Sequence, residues 1–143
     1  MIHPVVQWLM GTLIHQAIER LPNHLWSYED LKSVDPALRK RLVQFNTHPK
    51  TLEFYKFNEF YHELSYIVSQ NETIFNGIMD YVLVNDTTVA LIDFKTDNCD
   101  ETELRNRYTE QLEGYKKALE IMYPELNLQS FIYSFHLDDF LSF

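Results

Sequence analysis

Apolar residues recur along this chain first at helical spacing and then at strand spacing. Val6, Leu9, Leu13, Ala17 and Leu21 predict a helix from about Val5 to Leu21, which Pro22 ends. Ser27-Tyr28-Glu29-Asp30 reads as a helix start capped by Ser27. Asp35-Pro36 reads as another, with proline at the first helical position, and that helix runs to about Phe45. His48-Pro49 marks a break, and Thr51–Phe57 reads as a further helical turn whose aromatics belong to the core. At Glu59 the period becomes two. Phe60, His62, Leu64, Tyr66 and Val68 alternate with Glu59, Tyr61, Glu63, Ser65 and Ile67. A turn near Gln70-Asn71-Glu72 leads into a second strand, Thr73–Val84, and a short polar turn leads into a third, Val89–Lys95.

Thr96–Glu101 is polar loop, with Thr96 or Asp97 free to reach the rim of a site. Thr102–Tyr123 predicts a long helix whose inner stripe is Leu104, Tyr108, Gln111, Tyr115, Ala118, Leu119 and Met122, ended by Pro124. Leu128–His136 is a fourth strand, and Phe140–Phe143 is a short fifth at an edge. A helix between strands three and four can act as a crossover, which places those strands parallel. The pattern is an α/β sandwich in one domain, residues 1–143: a helical part over about 1–57 and an α/β core over about 58–143.

The length allows a real core, and 45% hydrophobic with 15% aromatic residues excludes a disordered chain. No apolar run is long enough to span a membrane, and no basic region precedes an apolar segment as in a secretory signal. A single cysteine, Cys99, excludes an internal disulfide or a four-cysteine metal site within this chain. These features agree with a cytoplasmic protein. A formal net charge of −9 argues against holding nucleic acid by bulk electrostatics, though an acidic chain can surround a metal that supplies local positive charge.

The densest chemistry lies in Gly77–Lys95. If Asp86-Thr87 form a two-residue turn, Asn85 pairs with Thr88 and Asp80 stands opposite Asp93. Ile78, Asp80, Val82 and Val84 would share one face, as would Val89, Leu91, Asp93 and Lys95. Two opposed carboxylates repel. A hard cation such as Mg²⁺ or Mn²⁺ between them reverses that. The alternative is a pair of solvated aspartates. His15 lies one turn after Gly11, whose missing side chain leaves room beside the imidazole, and reads as either a surface histidine or a ligand. Gln111, inside an apolar stripe, needs partners, and Tyr115 follows at i+4.

Asp80 and Asp93-Phe94-Lys95 on adjacent strands of an αβββαβ unit resemble the PD-(D/E)xK nuclease superfamily. Gly11-Thr12-Leu13-Ile14-His15, Gly77-Ile78-Met79-Asp80, Asp93-Phe94-Lys95-Thr96-Asp97 and Gln111-Leu112-Glu113-Gly114-Tyr115 resemble four motifs of its RecB-type branch. Glu63-Leu64-Ser65-Tyr66 resembles a fifth, with Ser65 where that branch has proline. Within the branch the resemblance is closest to the C-terminal nuclease domains of AddA-type (RexA-type) helicase–nucleases. It implies a restriction-endonuclease-like core, a mixed sheet flanked by helices, and a Mg²⁺- or Mn²⁺-dependent deoxyribonuclease, exonuclease in type, in double-strand break repair in a bacterial cytoplasm. It implies Asp80, Asp93, the Phe94 carbonyl and His15 as metal ligands. Lys95 would orient water or stabilise phosphate, with Glu63, Gln111 and Tyr115 completing the site. DNA, a helicase portion of the same parent protein and an AddB- or RexB-like subunit would be its partners. Two rivals are a non-catalytic docking module on the same fold and a nuclease of RNA or restriction-type specificity.

Overall fold

The structure, a computed structural model, describes residues 4–143, with side chains described from Leu9 onward. Its elements are α1 (Pro4–Arg20), α2 (Tyr28–Leu31), α3 (Pro36–Thr47), α4 (Pro49–Phe54), β1 (Glu59–Gln70), β2 (Thr73–Val84), β3 (Thr88–Lys95), α5 (Glu101–Met122), β4 (Asn127–Ser134) and β5 (Asp139–Ser142). The five strands form one sheet in sequence order. All neighbours are antiparallel except β3 and β4, which run parallel across the α5 crossover. The fold is therefore α/β, a mixed sheet flanked by helices.

Local chemistry sets the boundaries. Ser27 and Asp30 form a reciprocal capping box on α2. Asp35 accepts from the Ala37 amide and caps α3, while Asp100 accepts from Glu103 and caps α5. The helix expected over Thr51–Phe57 instead begins at Pro49, because His48 Nδ1 accepts from the Lys50 amide and proline is suited to the first turn. Asn71 and Glu72, both at positive φ, make the two-residue turn that joins β1 to β2.

Helices α1–α4 cover one face of the sheet and α5 the other. Ile14, Ile18, Leu42 and Phe45 pack with Tyr81, Leu83, Ile92, Phe94 and Tyr133 on the first face. Leu112, Ala118 and Leu119 pack with Val82, Val84, Leu91 and Ile132 on the second. The stripe expected on α1 holds only toward its C-terminal end, where Leu21 is buried and Ala17 packs against the core. Leu9 and Leu13 are exposed, Val6 lies outside the described side chains, and Ile14 and Ile18 are buried in their place. Apolar residues occur nearly all round this helix, so spacing alone does not select the buried face. On α5 the expected stripe holds at Leu104, Ala118 and Leu119, but Leu112 is fully buried in place of Gln111, which is exposed.

The strands hold a larger departure from simple alternation. Phe60 and His62 face the α1 side, but Leu64, Tyr66 and Val68 face α5. On β2, Tyr81 and Leu83 face α1, but Met79 faces α5, and Ile78, expected beside Asp80, is exposed. Both strands exchange faces at the same level. There Glu63 has φ 51, and the ladder skips from His62↔Tyr81 to Leu64↔Met79. A non-glycine residue in the left-handed region carries strain of about 1–3 kcal/mol, which surrounding structure must hold. Asp80 sits opposite Glu63, at the centre of the exchange.

Candidate active site

The β2–β3 register ends at Tyr81↔Ile92, so its next step sets Asp80 opposite Asp93. The ladder stops there because the Asp80 carboxylate takes the place of a backbone acceptor: Phe94 N–H donates to Asp80 Oδ2 at 2.8 Å. The same oxygen lies 3.0 Å from His15 Nε2. His15 Nδ1 donates to the Gly11 carbonyl at 2.7 Å, so Nε2 can donate to Asp80 only in the imidazolium form. Burial opposes that charge, but the bond to Asp80 and its attraction prevail and push the His15 pKa up to about 9. For Asp80 burial raises the pKa, and the His15 and Phe94 contacts outweigh it to hold the carboxyl below its ordinary value.

Asp93 has the opposite environment. It is 2% exposed, and burial followed by the repulsion of Asp80 pushes its pKa well above the carboxylate range. Its Oδ2 lies 3.0 Å from Lys95 Nζ, yet this buried oxygen has no partner in hydrogen-bond geometry. The ammonium of Lys95 also donates to Gln111 Oε1 at 3.1 Å and lies 4.1 Å from the centre of the Tyr108 ring. Glu63 is raised by burial and by Asp80. Tyr115 is raised by burial and then by Asp93 and Asp80, so it is a neutral hydroxyl donor at physiological pH.

These residues share an open cleft of about 670 Å³ between α1, the sheet and α5. His15, Glu63, Asp80, Asp93, Phe94, Lys95, Gln111 and Tyr115, the full set of candidates from sequence, all line it. Gln111 does so from an exposed position at the mouth, where its Oε1 accepts from Lys95 and its amide group donates to the Tyr115 hydroxyl one turn on, as the i+4 spacing suggested. Gly11 makes room for Thr96 and not for the imidazole, since a Cβ at Gly11 would stand 2.9 Å from Thr96 Oγ1. Asp97, expected to reach the rim of the site, lines the cleft and is held there by Arg107 Nη1 at 2.9 Å and by the Tyr108 hydroxyl at 2.7 Å.

The donor set suits a hard divalent cation. Two carboxylates face each other, one with a buried oxygen that has only the Lys95 ammonium beside it, at 3.0 Å, and the His15 imidazole and Phe94 line the same cleft.

No family model matches the chain. Among curated proteins it is 29% identical over 119 residues to an ATP-dependent helicase/nuclease subunit of Clostridium botulinum (strain Okra / Type B1), a match that covers 80% of this chain and 9% of that protein. It is 42% identical over 53 residues to the protein of that name from Streptococcus pyogenes serotype M5 (strain Manfredo), and 35% identical over 65 residues to that from Streptococcus pneumoniae (strain CGSP14). Those matches cover 36% and 45% of this chain and 4% and 5% of the relatives. The chain is thus related to part of these helicase/nuclease proteins and spans under a tenth of their length. Among the described residues no helix is long and apolar enough to cross a membrane.

Sequence reasoning missed Arg107, Glu19 and Gln16, which also line the cleft. Arg107 precedes Gln111 and Tyr115 at successive i+4 steps, and that spacing was the available signal. Glu19 follows His15 by one turn in the same way.

Proposed function

We propose that this chain is a divalent-metal-dependent nuclease domain that hydrolyses phosphodiester bonds in DNA, in the manner of the RecB-type PD-(D/E)xK enzymes. A helicase portion of the parent protein and an AddB- or RexB-like subunit would be its partners. One observation carries the reading: Asp80 and Asp93 meet at the floor of an open cleft, with Lys95 Nζ 3.0 Å from Asp93. The names of the relatives support DNA processing as the setting.

Asp80, Asp93, the Phe94 carbonyl and His15 would hold Mg²⁺ or Mn²⁺. A divalent cation there supplies Lewis acidity and neutralises charge on the phosphate. His15 must give up its Nε2 proton to serve as a ligand, and Asp93 must ionise, so metal uptake is coupled to proton release. Lys95, braced between Asp93 and Gln111, presents N–H donors to the attacking water or to the phosphoryl oxygens, where charge grows in the transition state. Tyr115 would offer its hydroxyl as a donor from the α5 wall, and Glu63 faces the cleft from the kink in β1. The site opens to solvent along one side, which suits a strand laid across it.

The test is incubation with linear duplex DNA, single-stranded DNA, closed-circular DNA and RNA, in Mg²⁺ and in EDTA, alongside Asp93→Ala. Mg²⁺-dependent cutting of DNA that the variant lacks is expected. No cleavage in Mg²⁺ or Mn²⁺, or equal cleavage by the variant, refutes the reading.

A further inference from the structure

A lysine ammonium sits on a flexible four-carbon stem, so a lysine that works at one point in space needs restraint from outside the reaction. Two contacts of Lys95, to Asp93 and to Gln111, lie within the site already described. The third does not. Its Nζ stands 4.1 Å from the centre of the Tyr108 ring, within cation–π range. Tyr108 in turn cannot swing away. Its hydroxyl donates to Asp97 Oδ2 at 2.7 Å, and the same oxygen receives Arg107 Nη1 at 2.9 Å. Arg107 is anchored on its other side by Glu103, at 3.3 Å. The chain of contacts runs from the first turns of α5 through the loop after β3 to the lysine.

We propose that Tyr108, locked by Asp97 and Arg107, is a positioning residue that holds the Lys95 ammonium over the cleft. This rests on the nuclease reading for its consequence but not for its geometry. The bland account is that Tyr108 is a core aromatic, since it also packs beside Leu104 and Leu141. The two accounts differ in what happens to Lys95. On the core account, an aliphatic replacement lowers stability and leaves the lysine where it was. On the positioning account, the lysine loses the ring beneath it.

The readout is the proton shift of the Lys95 side-chain methylenes in protein with isotope-labelled lysine, the signal being assigned by its loss in Lys95→Arg. In the wild type the ring current of Tyr108 moves these protons upfield. Tyr108→Leu should remove the shift, lower kcat about 10-fold or more with KM within about 2-fold, and leave Mn²⁺ affinity unchanged. Tyr108→Phe should keep the shift and stay within about 3-fold of wild-type kcat, because the ring remains. Asp97→Ala, which frees the hydroxyl, should give a reduced shift and serves if Tyr108→Leu fails to fold. An unchanged Lys95 shift in Tyr108→Leu, or in Asp97→Ala where the leucine variant does not fold, overturns the proposal. So does an unchanged kcat. A wild type that shows the shift but cuts no nucleic acid refutes the nuclease reading and leaves the brace standing.

Discussion

Replacing Asp93 with asparagine should stabilise the metal-free protein, whereas the same change at Asp80 should destabilise it. The two carboxylates face each other, but their surroundings differ. Asp80 Oδ2 accepts from Phe94 N–H and pairs with His15, so its charged form is favoured by the fold. Asp93 is buried beside Asp80 and its pKa is raised. Between the ordinary carboxyl value and that raised value, the folded protein keeps a proton that the unfolded chain has lost. Stability therefore falls as pH rises through this interval. Each pH unit of the interval costs about 1.36 kcal/mol, so two units below neutrality amount to about 3 kcal/mol. The neutral amide of Asp93→Asn would mimic the protonated carboxyl and escape that cost. Against it stands the loss of the Lys95 ion pair, so the expected gain is about 1–3 kcal/mol. Asp80→Asn takes the carboxylate away from the Phe94 amide and from His15, which then sheds its proton, at a cost of about 1–3 kcal/mol. Urea unfolding in EDTA at pH 7.5 and at pH 5 gives both numbers. The Asp93→Asn gain should shrink at the lower pH. His15 also loses stability with rising pH, through about 9, so the variant should flatten the pH profile without abolishing it. A lower midpoint for Asp93→Asn at pH 7.5 would refute the like-charge reasoning.

Lys95→Ala should abolish cleavage while Mn²⁺ affinity by calorimetry is unchanged or tighter, because the ammonium 3.0 Å from Asp93 competes with a cation. Weaker Mn²⁺ binding would contradict that role. With a net charge of −9, DNA affinity should be low and depend shallowly on salt, since each phosphate contact contributes about −0.9 to the slope. Anisotropy across a salt series in Ca²⁺ measures it, and a steep slope would show a basic surface. Gly77→Ala should lower the melting temperature, because the new methyl would stand 2.9 Å from the Tyr66 hydroxyl and 3.2 Å from its ring, a clash of about 1–3 kcal/mol. Leu112→Ala should cost about 2–5 kcal/mol in chemical unfolding, since the side chain is wholly buried.

The strands and the site were largely legible in the chain, because both rest on short-range rules. The Asn85–Thr88 turn sets the register that opposes Asp80 and Asp93. Charged residues in an apolar stretch stand out without knowledge of the tertiary structure. What failed rests on packing. The buried face of α1 is chosen by α3 and the sheet, not by the helix. Gln111 sat in the α5 stripe by count, but the stripe is wider than one row and Leu112 fills the core. The exchange of faces at Glu63 left no mark in composition. Glutamate is not a turn residue, and only the residues on either side of it, facing opposite layers, reveal its φ of 51.

That exchange separates the β1–β2 hairpin into two stretches whose orientations are set independently. The inner stretch, from Glu59 to His62 and from Tyr81 to Val84, is keyed to the helical layer. The outer stretch, from Leu64 around the turn to Met79, is keyed to α5. Removing one cross-strand pair from the outer stretch would turn over only the residues beyond the cut, out at the hairpin tip. Removing one from the inner stretch would move Asp80 out of line with Asp93. Length changes in this hairpin should thus be tolerated in whole residue pairs beyond Glu63 and Asp80 and forbidden before them. The fold can lengthen or trim the arm without touching the carboxylates at its base.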